Sequence, residues 1–74
     1  MSHLRHLLNK IKWTQDLSKT KITYIHRGAP QDRKMITGED IKKIGRSFLH
    51  TNTAMIPYHR IIQVIYNEKT VFQR

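Results

Sequence analysis

Residues 61–66 read Ile-Ile-Gln-Val-Ile-Tyr, the most apolar run of the chain, and the residues before it limit how it can be used. β-Branched and aromatic side chains pack well on a pleated surface, so the run predicts a strand over residues 60–66, covered on most of both faces. Pro57 forces Ile56 into an extended shape and has no N–H for a ladder, so the strand starts just beyond it. Left at a sheet edge, such a strand would recruit other chains; it has to be central or covered by another subunit. The turn Asn67-Glu68-Lys69 followed by Thr70-Val71-Phe72 then predicts a C-terminal hairpin.

Upstream, Leu4, Leu7, Leu8 and Ile11 fall at helical spacing. They predict a short amphipathic helix over residues 2–12, with Ser2 as its cap, Arg5, Asn9 and Lys12 outside, and Trp13 packed at its end. Residues 21–26 read as a strand that stops near Arg27-Gly28, and Gly28 to Lys34 as an exposed, mobile loop. Thr37 is placed to cap a second helix, with Glu39 and Asp40 in its first turn, Ile41, Ile44 and Phe48 facing inward, and Gly45 ending or loosening it. The expected fold is α+β: a single small domain over residues 1–74, an antiparallel sheet with a C-terminal hairpin and two helices. A chain this short buries only about 60% of the surface its unfolded form exposes, which argues against a second domain or a deep cofactor cleft.

Fourteen Lys and Arg stand against five Asp and Glu, a formal charge of +9, and self-repulsion on this scale points to an anionic partner, nucleic acid first. Cysteine is absent, which removes disulfides and thiolate metal sites and fits a cytoplasmic location. The leucines near the start are interrupted by His3, Arg5, His6, Asn9 and Lys10, unlike a signal peptide, and no run reaches the roughly 20 apolar residues a bilayer span needs. No membrane partner and no cofactor are expected; the sequence leaves the oligomeric state open.

The chemistry concentrates in two His-Arg pairs, His26-Arg27 after the first strand and His59-Arg60 at the entrance of the main one, the second preceded by Tyr58. A guanidinium grips a phosphate through two parallel hydrogen bonds and stays charged at any cellular pH, so Arg60 and Arg27 are the first phosphate ligands to consider, two guanidiniums cradling one anion. Strand alternation makes each pair divide its work, one member toward ligand and one toward support. Tyr58 beside Pro57 could stack on a base, provided its hydroxyl finds a polar outlet. His26 and His59 also raise a rival reading, a metal-independent ribonuclease using one ring as base and one as acid. His3 and His6 share a helix face but have no carboxylate or Cys nearby to make a zinc site. A third reading is a protein-interaction domain that docks on an RNP or dimerises through its apolar strand.

Lys12-Trp13, Tyr24-Ile25-His26-Arg27-Gly28, the Ile41 to Leu49 segment, Ile56-Pro57-Tyr58-His59-Arg60-Ile61 and the final Val71-Phe72-Gln73-Arg74 occur in that order. Together they resemble a family of small, mostly archaeal proteins long grouped as uncharacterised and later named RNA cyclic-group-end recognition domains. The resemblance spans nearly the whole chain, with three departures: Phe72 where a Trp is usual, Thr14 where an acid often follows the Trp, and no Gly in the hairpin turn. It implies recognition of RNA ends, those bearing a 2′,3′-cyclic phosphate, in RNA processing or repair. It also implies His26, Arg27, Tyr58, His59, Arg60 and Arg74 as contacts, with RNA-processing enzymes as partners. None of the five histidines is followed two residues later by Thr or Ser, so the chain lacks the motifs of a two-histidine phosphoesterase and reads as a grip rather than an enzyme.

Overall fold

Leu4, Leu8 and Ile11 are the buried residues of α1, His3–Thr14, in the computed structural model, which describes residues 3–74. The Ser2 cap lies outside the described residues. At the helix end the Thr14 hydroxyl donates to the Lys10 carbonyl at 2.6 Å. Trp13 does not pack there: it is 81% exposed, because a helix that turns positions 4, 8 and 11 inward carries position 13 to the opposite side.

A 3₁₀ turn, Leu17–Lys19, is capped by Asp16, whose carboxylate accepts from the Ser18 N–H at 3.0 Å and the Ser18 hydroxyl at 2.6 Å. These bonds to the ionised form hold its pKa below the ordinary carboxylate value. The chain then enters β1, Thr20–Ile25, with Ile22 and Tyr24 inward. The loop expected to run to Lys34 is shorter: Gln31 and Asp32 turn at positive φ (58° and 56°), and β2, Arg33–Thr37, returns antiparallel to β1 with only Ile36 buried.

The second helix expected from Thr37 does not form. Gly38–Asp40 make one 3₁₀ turn, followed by β3, Ile41–Ile44, β4, Phe48–Thr51, and β5, Met55–Pro57. The register of β3 on β4 slips between Ile41 and Lys43, so one extra residue stretches the strand period from two to three and puts both Ile41 and Ile44 against the core. Leu49 takes the inward position expected of Phe48, whose ring is 37% exposed. Gly45 is needed here for room rather than for helix termination, since a Cβ would sit 2.7 Å from the Phe48 carbonyl oxygen.

β6, Ile61–Tyr66, lies between β1 and β7, Lys69–Gln73, in a four-stranded antiparallel sheet of order β2-β1-β6-β7; β3-β4-β5 form a second, three-stranded sheet. Thr23 pairs with Gln63 and Tyr24 with Ile61, so Ile62 is bulged, and both Ile61 and Val64 reach the core from one strand. The connection to β7 turns on Asn67 and Glu68, both at positive φ, and Lys69 already belongs to the strand; a register slip beside Val64 interrupts this ladder too. Leu4 and Leu8 of the helix, Ile22, Tyr24, Ile36, Ile61 and Val64 of the larger sheet, and Leu49, Ile56 and Tyr58 share one core. Among the described residues no helix is long and apolar enough to cross a membrane.

Candidate nucleic-acid interface

Pro57, held at φ −61°, does not open directly into β6 but into a 3₁₀ turn, Tyr58–Arg60. At three residues per turn, successive side chains leave about 120° apart, so Tyr58, His59 and Arg60 go three ways instead of alternating between two faces. Tyr58 goes into the core and is 5% exposed. Its hydroxyl donates to the Gly45 carbonyl at 2.6 Å, the polar outlet that a buried tyrosine needs. Its own carbonyl accepts from the Arg74 guanidinium at 3.2 Å. Burial pushes the phenol pKa up, and the Arg5 charge partly offsets that. Tyr58 therefore ties the β3–β4 turn to the chain end, and only a margin of its ring is left for a ligand.

His59 lines a broad groove of about 800 Å³. Its walls come from four parts of the chain: His3, Leu4, Arg5 and His6 from the first turn of α1, Arg46 and Ser47 between β3 and β4, Tyr58 and His59, and Phe72 and Arg74 from the β7 end. Among the described residues, three guanidiniums and three imidazoles line it, and no Asp or Glu. The first turn of α1 also carries no acidic residue, so the positive end of the helix dipole adds to the cations. The Arg74 guanidinium carbon lies 5.9 Å from the Phe72 ring centre, a cation-over-ring arrangement of two residues that line the groove.

Arg60 leaves on another side and lines a smaller cleft of about 240 Å³ with His26, between Tyr24, Ile25, Ala54, Met55, Ile56 and Pro57. The His26 ring meets Tyr24 edge-on, centroids 6.2 Å apart, as expected for side chains on one face of a strand. Arg27 lines neither of these depressions; it lies at the exposed turn before Gly28, whose φ is +91°. The sequence motif thus divides: Tyr58, His59 and Arg74 share the groove, His26 and Arg60 share the cleft, and Arg27 stands apart from both. The groove also takes in the guanidiniums of Arg5 and Arg46 and the imidazoles of His3 and His6, none of them among the site residues expected from the sequence. Their signal in sequence is faint: a helix whose opening turn carries His and Arg and no acid, and an Arg between Gly45 and Ser47. Among the described residues no cluster of His, Asp and Glu could hold a metal ion.

Residues 1–74 match the family described as the MJ1316 RNA cyclic group end recognition domain. The chain belongs to that family. It is 39% identical over 70 residues to a UPF0248 protein of Archaeoglobus fulgidus, covering 90% of this chain and 99% of that one. With the UPF0248 protein MJ1316 of Methanocaldococcus jannaschii it shares 36% identity over 69 residues, 90% and 84% of the two chains. With a UPF0248 protein of Pyrobaculum calidifontis the identity is 34% over 65 residues, 82% of each. No solved structure matches the chain. In this member of the MJ1316 domain family, the centre of the Ile56–Ile61 motif, Tyr58–Arg60, is a 3₁₀ turn that deals its side chains to the core, the groove and the cleft.

Proposed function

We propose that this chain is an RNA-binding module that grips a phosphate-bearing RNA end, with a terminal 2′,3′-cyclic phosphate as its ligand, in the groove beside the first turn of α1. The observation that carries the reading is the groove's lining: the guanidiniums of Arg5, Arg46 and Arg74 and the imidazoles of His3, His6 and His59 face one concavity that no Asp or Glu among the described residues lines. A chain end projects its phosphate and can be gripped from several sides at once, which suits donors supplied by four separate parts of the chain. Arg46 and Arg74 take the phosphate oxygens, His59 donates a ring N–H, and Phe72 faces the terminal ribose or base. Arg60, His26 and Arg27, outside the groove, add to the general attraction for the polyanion. The module holds the end for a separate nuclease, ligase or cyclase during RNA processing or repair.

A cyclic phosphate carries one negative charge where an open terminal phosphate carries about −1.5 to −2. Charge alone would therefore favour the open form, and a preference for the cyclic one has to come from shape. The test compares short oligoribonucleotides that differ only in the terminal group: cyclic phosphate, open 3′-phosphate or hydroxyl. Tightest binding of the cyclic end is expected. Equal binding of the hydroxyl end would reduce the groove to general attraction for polyanions.

Cleavage by His26 and His59 would need both rings at one phosphodiester, and they line different depressions, which favours grip over catalysis. Labelled RNA incubated with the protein should be recovered uncut.

A further inference from the structure

Trp13 is the chain's single tryptophan, and it is 81% exposed. A single exposed apolar side chain needs no partner on that ground alone, and what singles this one out is its place on α1. His6, Lys10 and Trp13 recur at i, i+4 and i+7 and form one outward stripe, all exposed, and Arg5 and Lys12 lie together about 100° round the helix to one side of it. No residue of α1 is acidic. The stripe begins in the groove, which His6 lines, and ends at Trp13. From position 6 to position 13 the helix rises about 10 Å at 1.5 Å per residue. That length holds about three nucleotides at the ~3.4 Å axial rise of a stacked strand.

We infer that the outer face of α1 is a track for the single-stranded nucleotides leading to the bound end, with Trp13 stacking on a base about three nucleotides from that end. This rests on the groove reading above and adds a substrate class: an unpaired RNA end, since a base inside a duplex could not reach the indole. Lys10 follows the backbone, and Trp13 supplies the ring, the combination by which single strands are held without sequence preference. An acidic protein could meet the same cations, but the stripe's continuity with the groove favours the strand that enters it.

The test uses the indole's own fluorescence, which reports only on Trp13. Oligouridylates of one, two, three, four and six nucleotides, each ending in a 2′,3′-cyclic phosphate, are titrated into the full chain, and their binding is followed in parallel by competition against a labelled RNA. Competition by all lengths, with quenching that appears at about three nucleotides, is the expected result. Trp13→Ala should bind the one-nucleotide ligand as wild type does and lose about tenfold in affinity for the six-nucleotide one. Because Trp13 lies in solvent, this substitution removes no core contact. Full competition without quenching, or a Trp13→Ala variant that keeps the wild-type gain with length, overturns the track and leaves the groove standing. Quenching and tenfold loss that persist when the six-nucleotide RNA is sealed in a blunt duplex also overturn it. No competition by any length overturns the groove reading, and the track falls with it.

Discussion

Two depressions open beside the same 3₁₀ turn, and a polyanion would meet different surroundings in each. The groove gathers three Arg and three His; the cleft holds one of each between Tyr24, Ile25, Met55, Ile56 and Pro57. His59 and Arg60 are adjacent in sequence, yet each serves a different depression. The chain carries a formal +9, so positive charge alone does not distinguish one surface from another. What distinguishes the groove is that elements remote in sequence bring Arg5, Arg46 and Arg74 to one concavity that no Asp or Glu among the described residues lines, and a cleft lined by one sign of charge concentrates its field. The cleft, walled largely by apolar side chains, offers a lone guanidinium and little help for it.

That contrast is broken most directly by removing two of the groove's guanidiniums. Arg46→Ala combined with Arg74→Ala should weaken binding of a cyclic-phosphate oligonucleotide by about a hundredfold or more, since hydrogen bonds to charged groups contribute roughly 1.5–3 kcal/mol each. With about five phosphates engaged by the wild type, the log–log salt slope for single-stranded RNA should be near −3.5, and the double variant should bring it toward −2. Fluorescence anisotropy at several salt concentrations measures both, and unchanged affinity would remove the groove from consideration.

The next largest effect falls on stability rather than on binding. Tyr58→Phe removes the donor to the Gly45 carbonyl, and leaving that buried acceptor unsatisfied should cost about 1–3 kcal/mol in denaturant unfolding. RNA affinity of the folded variant should change little, because the ring stays in place and the groove's cations are untouched. Arg60→Ala comes third, with about threefold or smaller loss of affinity, the scale of an exposed cation on the strand's periphery. A larger loss for Arg60→Ala than for Arg46→Ala would reverse the ranking and make the cleft the primary site.

The parts of the fold legible in the sequence are those whose hydrophobic period survives intact. Leu4, Leu8 and Ile11 mark the helix, Ile22 and Tyr24 mark the inner face of β1, and Pro57 marks a boundary because its ring acts locally. The second helix was misread because a β-bulge gives Ile41 and Ile44 the three-residue spacing of a helix face, and a bulge depends on the partner strand, which no local pattern reveals. The same device separates Ile61 from Val64, where the density of β-branched residues kept the strand recognisable. Trp13 lies opposite Leu4, Leu8 and Ile11 on the helical wheel, and that geometry, not the apolar character of its ring, decides its exposure. At the site, Tyr58, His59 and Arg74 could be named from the motif. Arg5 and Arg46 could not, because tertiary packing alone brings the start of the helix and the β3–β4 turn to that motif.

The smallest effect sharpens the comparison through two tyrosines, Tyr58 at the groove and Tyr24 at the cleft. Burial raises both phenol pKa values above 10.0, and at Tyr58 the Arg5 charge pulls the other way. A raised folded-state pKa means the folded chain keeps its proton where the unfolded chain loses it. The associated stability is fully present below about pH 10 and is lost as pH rises through the folded value. Tyr58→Phe and Tyr24→Phe should each flatten the fall in stability between pH 9 and about pH 11, read by denaturant unfolding at both ends of that window. RNA separates the two. A phosphate seated beside Arg5 neutralises the charge that lowers the Tyr58 pKa and adds a negative charge that raises it, so the Tyr58 phenol should titrate at higher pH in the complex. Tyr24, in the other depression, should not move. Ultraviolet titration of the Tyr24→Phe and Tyr58→Phe variants with and without oligonucleotide resolves the pair, and a shift confined to Tyr24 would place the anion in the cleft.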